Sequence, residues 1–101
     1  MNRLSIIVPT LDEAPGIAAC LARRAPPRGR GAEVIVADGG SADGTAQVAA
    51  PLADQVLAGA RGRAAQMNAG ASRAGGDTLL FLHADTRLPE DADRLVLDGL
   101  A

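Results

Sequence analysis

Four short apolar runs are spaced along the sequence: Arg3 to Pro9 "RLSIIVP", Glu33 to Ala37 "EVIVA", Asp54 to Ala58 "DQVLA" and Asp77 to His83 "DTLLFLH". Their length and β-branched content suit strands buried on both faces. The segments between them carry helical spacing and helix punctuation. A helix starting between Glu13 and Gly16, with Pro15 in its first turn, puts Ala14, Ile17 and Leu21 on one face until "APPRGRG", Ala25 to Gly31, breaks it. A second runs from about Thr45 to Ala50 and stops at Pro51. A third, from about Gly62 to Arg73, aligns Ala60, Ala64, Met67 and Ala71 and ends at the Gly75 and Gly76 pair. A fourth, from about Pro89, turns Ala92, Leu95, Val96 and Leu100 inward. Strand and helix in alternation predict an α/β domain of three layers, a mostly parallel sheet with flanking helices and right-handed crossovers.

A chain of 101 residues builds one core. Hydrophobic residues make up 48% of it, yet many are alanine and Phe81 is the only aromatic, so Leu, Ile and Val must fill that core against small-residue helices. The net charge is -2, and all ten basic residues are arginine. Without a basic surface or aromatic stacking platforms, no nucleic acid is expected as a partner, whereas scattered arginines suit a small anionic ligand. Cys20 is the only cysteine, which rules out an internal disulfide and a thiolate zinc site; beside Ile17, Ala18 and Leu21 it reads as a packed helix thiol. The start "MNRLSIIVPTLDEA" lacks a signal-peptide pattern, and no run approaches the roughly 18 apolar residues of a membrane span, so the expected location is cytoplasmic.

Ligands of parallel α/β sheets bind outside the carboxyl ends of the strands, and three polar clusters fall there: Pro9 to Glu13, Asp38 to Thr45, and His83 to Thr86. The second lies in "ADGGSADGT", Ala37 to Thr45, which holds more turn residues than a surface loop needs. Gly39, Gly40 and Gly44 permit positive φ and close backbone approach, and Ser41 or Asp43 can cap the helix that follows. The turn can face a nucleotide or be a capped turn and nothing more. Asp38, leaving a buried strand, needs a partner: the ring N–H of a base, or its own turn.

Arg61 and Arg63 open a helix where the macrodipole disfavours cations, so a nearby phosphate accounts for them; a solvated charged face is the other reading. His83 and Asp85 leave the same side of their strand. The pair can hold a divalent cation, with Asp85 as the hard oxygen ligand and His83 as a nitrogen better suited to Mn²⁺ than Mg²⁺; the alternative is a structural histidine. Absence of lysine excludes a Walker A loop, and "PTLDEA" after the first strand is neither a dinucleotide fingerprint nor the glycine-rich loop of sugar nucleotidyltransferases.

In their order and spacing, "SIIVPTLDEA", "VIVADGGSADGT", "GRAAQMNAGA" and "GDTLLFLHADTRLP" resemble the nucleotide-binding half of family 2 glycosyltransferases with the GT-A fold. The "FLHADT" and "GRAAQMNAGA" wording is most similar to a bacterial branch, the rSAM/selenodomain-associated transferases. The four motifs are spread along the chain from Ser5 to Pro89, and the resemblance takes residues 1–101 as the nucleotide-sugar-binding part without the acceptor-binding part. The resemblance implies a Rossmann-like half-domain in which Pro9, Thr10 and Glu13 border the nucleoside, with Asp38 reading the base beside Gly40. It implies that Arg63, helped by Arg61, faces the pyrophosphate or the ribose. The family's DxD element maps onto His83, Ala84 and Asp85, which gives Asp85 the metal role and puts His83 in place of the first aspartate. The implied reaction transfers a sugar from a nucleotide-diphosphate donor to a hydroxyl acceptor with inversion, a divalent cation (Mn²⁺ or Mg²⁺) neutralising the leaving diphosphate.

In that family the catalytic base and acceptor pocket follow the DxD strand and its helix. Glu90, Asp91, Asp93 and Asp98 read as that helix's acidic start and solvated face, so no catalytic residue is assigned. The expectation is a partial catalytic domain, either part of a longer enzyme or dependent on a partner subunit. A fourth strand at the sheet edge predicts an exposed apolar surface and self-association through it. The competing reading is a nucleotide-sugar or nucleotide-diphosphate binding module without turnover. A receiver-like signalling domain ranks last, because it needs a lysine after its last strand.

Overall fold

The computed structural model describes residues 3–59 and 61–84. β1 (Leu4–Thr10) leads through α1 (Ala14–Ala22) and a short α2 (Ala25–Gly29) to β2 (Glu33–Asp38). α3 (Thr45–Ala49) and a 3-10 turn (Ala50–Leu52) lead to β3 (Gln55–Ala58), and α4 (Arg63–Arg73) leads to β4 (Thr78–Phe81). All four strands are parallel, in the order β3-β2-β1-β4. The expected helix from Pro89, and Asp85 with it, lie outside the described residues.

The chain steps outward from β1 to β3 and then returns to the far side of β1. Right-handed crossovers therefore place α1 and α3 on one face of the sheet and α4 on the other. Alternation sorts the strands accordingly. Leu4, Ile6, Val8, Val34 and Val36 meet Ile17, Cys20, Leu21 and Ala49 in the main core. Ile7 and Ile35 point the other way and are fully buried on the α4 face. α4 lies close over β1 because Gly70 has no side chain: a Cβ there would stand 2.5 Å from Ile7 Cγ2.

Two sequence expectations are corrected and a third is met. α4 buries Gln66 and Gly70, not the stripe of Ala60, Ala64, Met67 and Ala71; Ala64 is exposed, Met67 and Ala71 are half-buried, and Ala60 lies outside the described residues. Alanine carries little apolar contrast, so closeness of approach and polar pairing chose the face instead. Second, "APPRG" is a helix and not a break, since prolines fit a first turn whose N–H groups have no helical partner; the Arg28 N–H bonds Arg24 O at 2.9 Å. Third, the apolar surface expected beside the fourth strand is present: Leu80 and Leu82 of that run meet the main core, while Leu79 and Phe81 are 40% and 39% exposed. β4 is an edge strand among the described residues, with an apolar surface beside it. No described helix is long and apolar enough to cross a membrane.

Candidate functional site

The strand register sets the carboxyl ends of β1, β2 and β3 level: Pro9 pairs with Ala37, Thr10 with Asp38, and Asp38 with Ala58. Strand order reverses between β1 and β4, and a crevice opens there because the connections leave toward opposite faces. One hollow of about 150 Å³ is lined by Pro9, Thr10, Leu11, Glu13, Arg63, Gln66 and His83. Another, of about 250 Å³, adds Met67, Phe81 and Leu82 around Pro9, Arg63 and His83. A larger cavity, about 500 Å³, lies between α4 and β3 and reaches the rim at Asp38, Ala58 and Gln66. It is a gap left by small residues such as Ala58, Ala69 and Ser72. Polar side chains from the β1–α1 connection, the first turn of α4 and the end of β4 converge on the smaller hollows, which makes those the candidate site.

Asp38 is 3% exposed and accepts four hydrogen bonds. Its Oδ1 receives the Thr10 hydroxyl at 2.7 Å and the Ser41 hydroxyl at 2.6 Å. Its Oδ2 receives the Gly40 and Ser41 N–H groups at 3.1 and 2.8 Å. A carboxylate offers about four acceptor positions, so its own loop and Thr10 on β1 together use them all. Burial alone would raise the Asp38 pKa; the Ser41, Thr10 and Gly40 bonds outweigh it and hold the carboxyl below the ordinary carboxylate value.

The same loop is stitched to the β1–α1 connection. The Asp12 N–H donates to Ser41 Oγ at 2.8 Å and the Ala42 N–H to Asp12 Oδ1 at 2.9 Å. These bonds hold Asp12 at φ 53, a left-handed conformation that aspartate tolerates better than most residues. Asp43 serves two helix starts, accepting from the Thr45 N–H at 3.1 Å and the Ala14 N–H at 3.1 Å. The Thr45 hydroxyl donates to Asp43 Oδ1 and accepts from the Glu13 N–H at 2.9 Å. Thr45 is the main cause that keeps the Asp43 carboxyl below the ordinary range. Gly40 and Gly44, at φ 91 and 86, supply the turns that aim these groups. The density of polar residues in "ADGGSADGT" is thus used first to brace two loops against each other.

The two arginines part company. Arg61 donates from Nε to Gly39 O at 2.9 Å and from Nη2 to Gly40 O at 3.2 Å, so it clamps the glycine turn. Arg63 reaches across the crevice instead, its Nη2 lying 2.7 Å from His83 Nδ1. Arginine has only donors, so Nδ1 accepts and the proton of the neutral ring sits on Nε2. The lone pair a cation would need is therefore engaged, and in this arrangement His83 does not fit as a metal ligand. No group of three or more His, Cys, Asp or Glu suited to a metal occurs among the described residues, and Asp85 lies outside them.

Pro9, Thr10, Glu13, Arg63 and His83 are thus brought together at one crevice, while Asp38, Gly40 and Arg61 form the braced turn beside it. Sequence reasoning missed Gln66, which lines both the crevice and the larger cavity. Its signal was a glutamine four positions before Gly70, on the same helical face.

These features define a doubly wound parallel α/β domain with its ligand crevice at the reversal of strand order. The chain belongs to glycosyl transferase family 2, which it matches over residues 5–100. Its fold is that of the GT-A glycosyltransferases. A mannosyltransferase from Pyrobaculum calidifontis, solved with GDP-Man and Mn²⁺, superposes with a TM-score of 0.85 at 28% identity, over 99% of this chain and 32% of its own. Mannosyl-3-phosphoglycerate synthase from Rubrobacter xylanophilus gives 0.75 at 26%, over 86% of this chain and 32% of its own. Glucosyl-3-phosphoglycerate synthase from Mycobacterium tuberculosis, solved with Mn²⁺, UDP and glucosyl-3-phosphoglycerate, gives 0.83 at 20%, over 98% and 39%, a likeness of fold alone. The chain thus spans between about a third and two fifths of these proteins. No curated protein sequence matches it.

Proposed function

We propose that this chain is the donor-binding part of an inverting glycosyltransferase that moves a sugar from a nucleotide diphosphate to a hydroxyl acceptor. The observation that carries the proposal is the Arg63–His83 pair across the crevice at the strand-order reversal, in a family 2 chain. The guanidinium and a ring N–H suit the oxygens of a diphosphate or ribose, while Pro9, Thr10 and Glu13 border the nucleoside. Asp38 receives a base N–H at Oδ1 in place of the Ser41 hydroxyl, which can turn away. Arg61 acts through the glycine turn that it holds. A divalent cation held by Asp85 belongs to this reading and supplies charge neutralisation at the leaving diphosphate.

Donor binding is tested by titrating the full chain with UDP, GDP and dTDP and their sugars, with and without Mn²⁺. Binding of one base class that Arg63→Ala weakens is the expected result. Failure to bind any of the three nucleotides ends the proposal. A second reading, binding without turnover, is favoured by the commitment of Asp12, Asp38 and Asp43 to loop hydrogen bonds, which removes them as acceptor bases. Binding without transfer or donor hydrolysis selects it. We also propose that the uncovered side of β4, at Leu79 and Phe81, is where a second copy or a partner subunit packs.

A further inference from the structure

We infer that Gln66 is a positioning residue: its amide locks the start of α4 to the ends of β1 and β2 and so sets where Arg63 stands in the crevice. The ligand part of this inference rests on the donor-binding reading; the lock rests on geometry. Gln66 is 5% exposed. Its Nε2 donates to Thr10 O and to Ala37 O, each at 2.8 Å, and its Oε1 accepts from the Gly62 N–H at 3.2 Å. A side-chain amide has two N–H donors and one carbonyl, and here both donors and the carbonyl are engaged.

The position of those partners gives the contact its consequence. Thr10 and Ala37 lie on the last rungs of the β1–β2 ladder; Thr10 O already accepts the Gly39 N–H at 2.9 Å, and the Gln66 amide adds a second bond on the same oxygen. Gly62 directly precedes Arg63, the first residue of α4. One planar group therefore ties the ends of two strands to the entry of a helix. Gly39 packs onto the same plane: a Cβ there would lie 3.0 Å from Gln66 Oε1 and 3.1 Å from its Cδ. Thr10, the backbone before Asp38, and the backbone before Arg63 are thus tied through a side chain that itself has no need to touch ligand.

Two variants of the full chain separate positioning from general stability. Gln66→Met keeps the bulk and removes all three bonds. Gly70→Ala, one turn later on the same face, forces a Cβ to within 2.5 Å of Ile7 Cγ2 and strains the packing without touching the strand ends. In the ligand-free protein, amide hydrogen exchange at Gly39 and Gly62 is expected to quicken on the order of tenfold in Gln66→Met, relative to mid-β1 amides, and not in Gly70→Ala. Whichever of UDP, GDP and dTDP binds the parent, titrated with Mn²⁺ at a temperature where far-UV dichroism is retained, should bind Gln66→Met on the order of tenfold more weakly, and Gly70→Ala like the parent. Equal exchange at Gly39 and Gly62 in all three proteins overturns the lock; quickened exchange with unchanged affinity for that nucleotide overturns the positioning role. A parent chain that ignores UDP, GDP and dTDP alike refutes the donor reading, and the exchange data still decide the lock. Should Gln66→Met fail to fold, Gly39→Ala displaces the amide more gently and carries the same expectation at Gly62.

Discussion

Replacing Asp38 by asparagine removes a charge and little else, and the four hydrogen bonds it accepts allow its cost to be worked out. The asparagine oxygen can keep the Gly40 and Ser41 N–H groups, but each bond falls from charge-assisted to neutral, about 1 kcal/mol apiece. The new NH₂ then faces two hydroxyls that formerly donated. Thr10, 2% exposed, must turn to accept and leaves its own proton unpartnered, which costs about another 1–2 kcal/mol. The total is about 3–4 kcal/mol from a domain whose whole stability is of order 5–15 kcal/mol. At about 4–8 °C per kcal/mol, Tm falls by at least about 12 °C. The pH dependence gives the check on mechanism. Asp38 titrates below its ordinary value of 3.8 when folded, so its ionised form contributes stability that is present above that value and lost as pH falls through the lower, folded-state value. Urea unfolding of parent and Asp38→Asn should therefore differ fully at pH 6 to 7 and converge below about pH 4. A gap under about 1 kcal/mol, or one that stays constant down to pH 3, refutes the account of the turn.

Four further outcomes are expected. Gly76→Ala places a Cβ 2.5 Å from Ser5 Oγ and 2.6 Å from the backbone Arg3 O, which cannot swing aside, and should cost about 1–3 kcal/mol in urea unfolding. Asp54 accepts the Val34 N–H at 2.7 Å and pairs with Arg28 at 3.2 Å; burial opposes its ionisation, but these partners lower its pKa. Asp54→Asn should lose about 1 kcal/mol at neutral pH, less in high salt, and nothing once pH falls through the folded-state pKa. Arg63→Ala, on an exposed side chain, should move the urea midpoint little yet weaken binding of whichever of UDP, GDP and dTDP the parent takes by roughly ten- to a hundredfold in calorimetry. Sedimentation of the parent should show concentration-dependent association that Leu79→Ser with Phe81→Ser abolishes; a clean monomer at high concentration removes the proposed packing surface.

The sequence by itself determined the order of the four strands and of the helices that connect them, α2 excepted, their parallel pairing and the rim on which the polar loops meet. Those follow from apolar period, proline and glycine punctuation, and the handedness of crossovers, which are local or topological rules. The tertiary structure alone decided what each side chain does there. Whether Asp38 is available to a base depends on Thr10, 28 positions away, and the role of Gln66 on a carbonyl 56 positions away. Arg61 and Arg63 are two residues apart and alike in chemistry, yet one finds the glycine turn and the other His83. Residue type and spacing set which bonds are possible. Only the register of the sheet and the seating of α4 set which are made, because a hydrogen bond forms over about 3 Å and no sequence interval carries that distance.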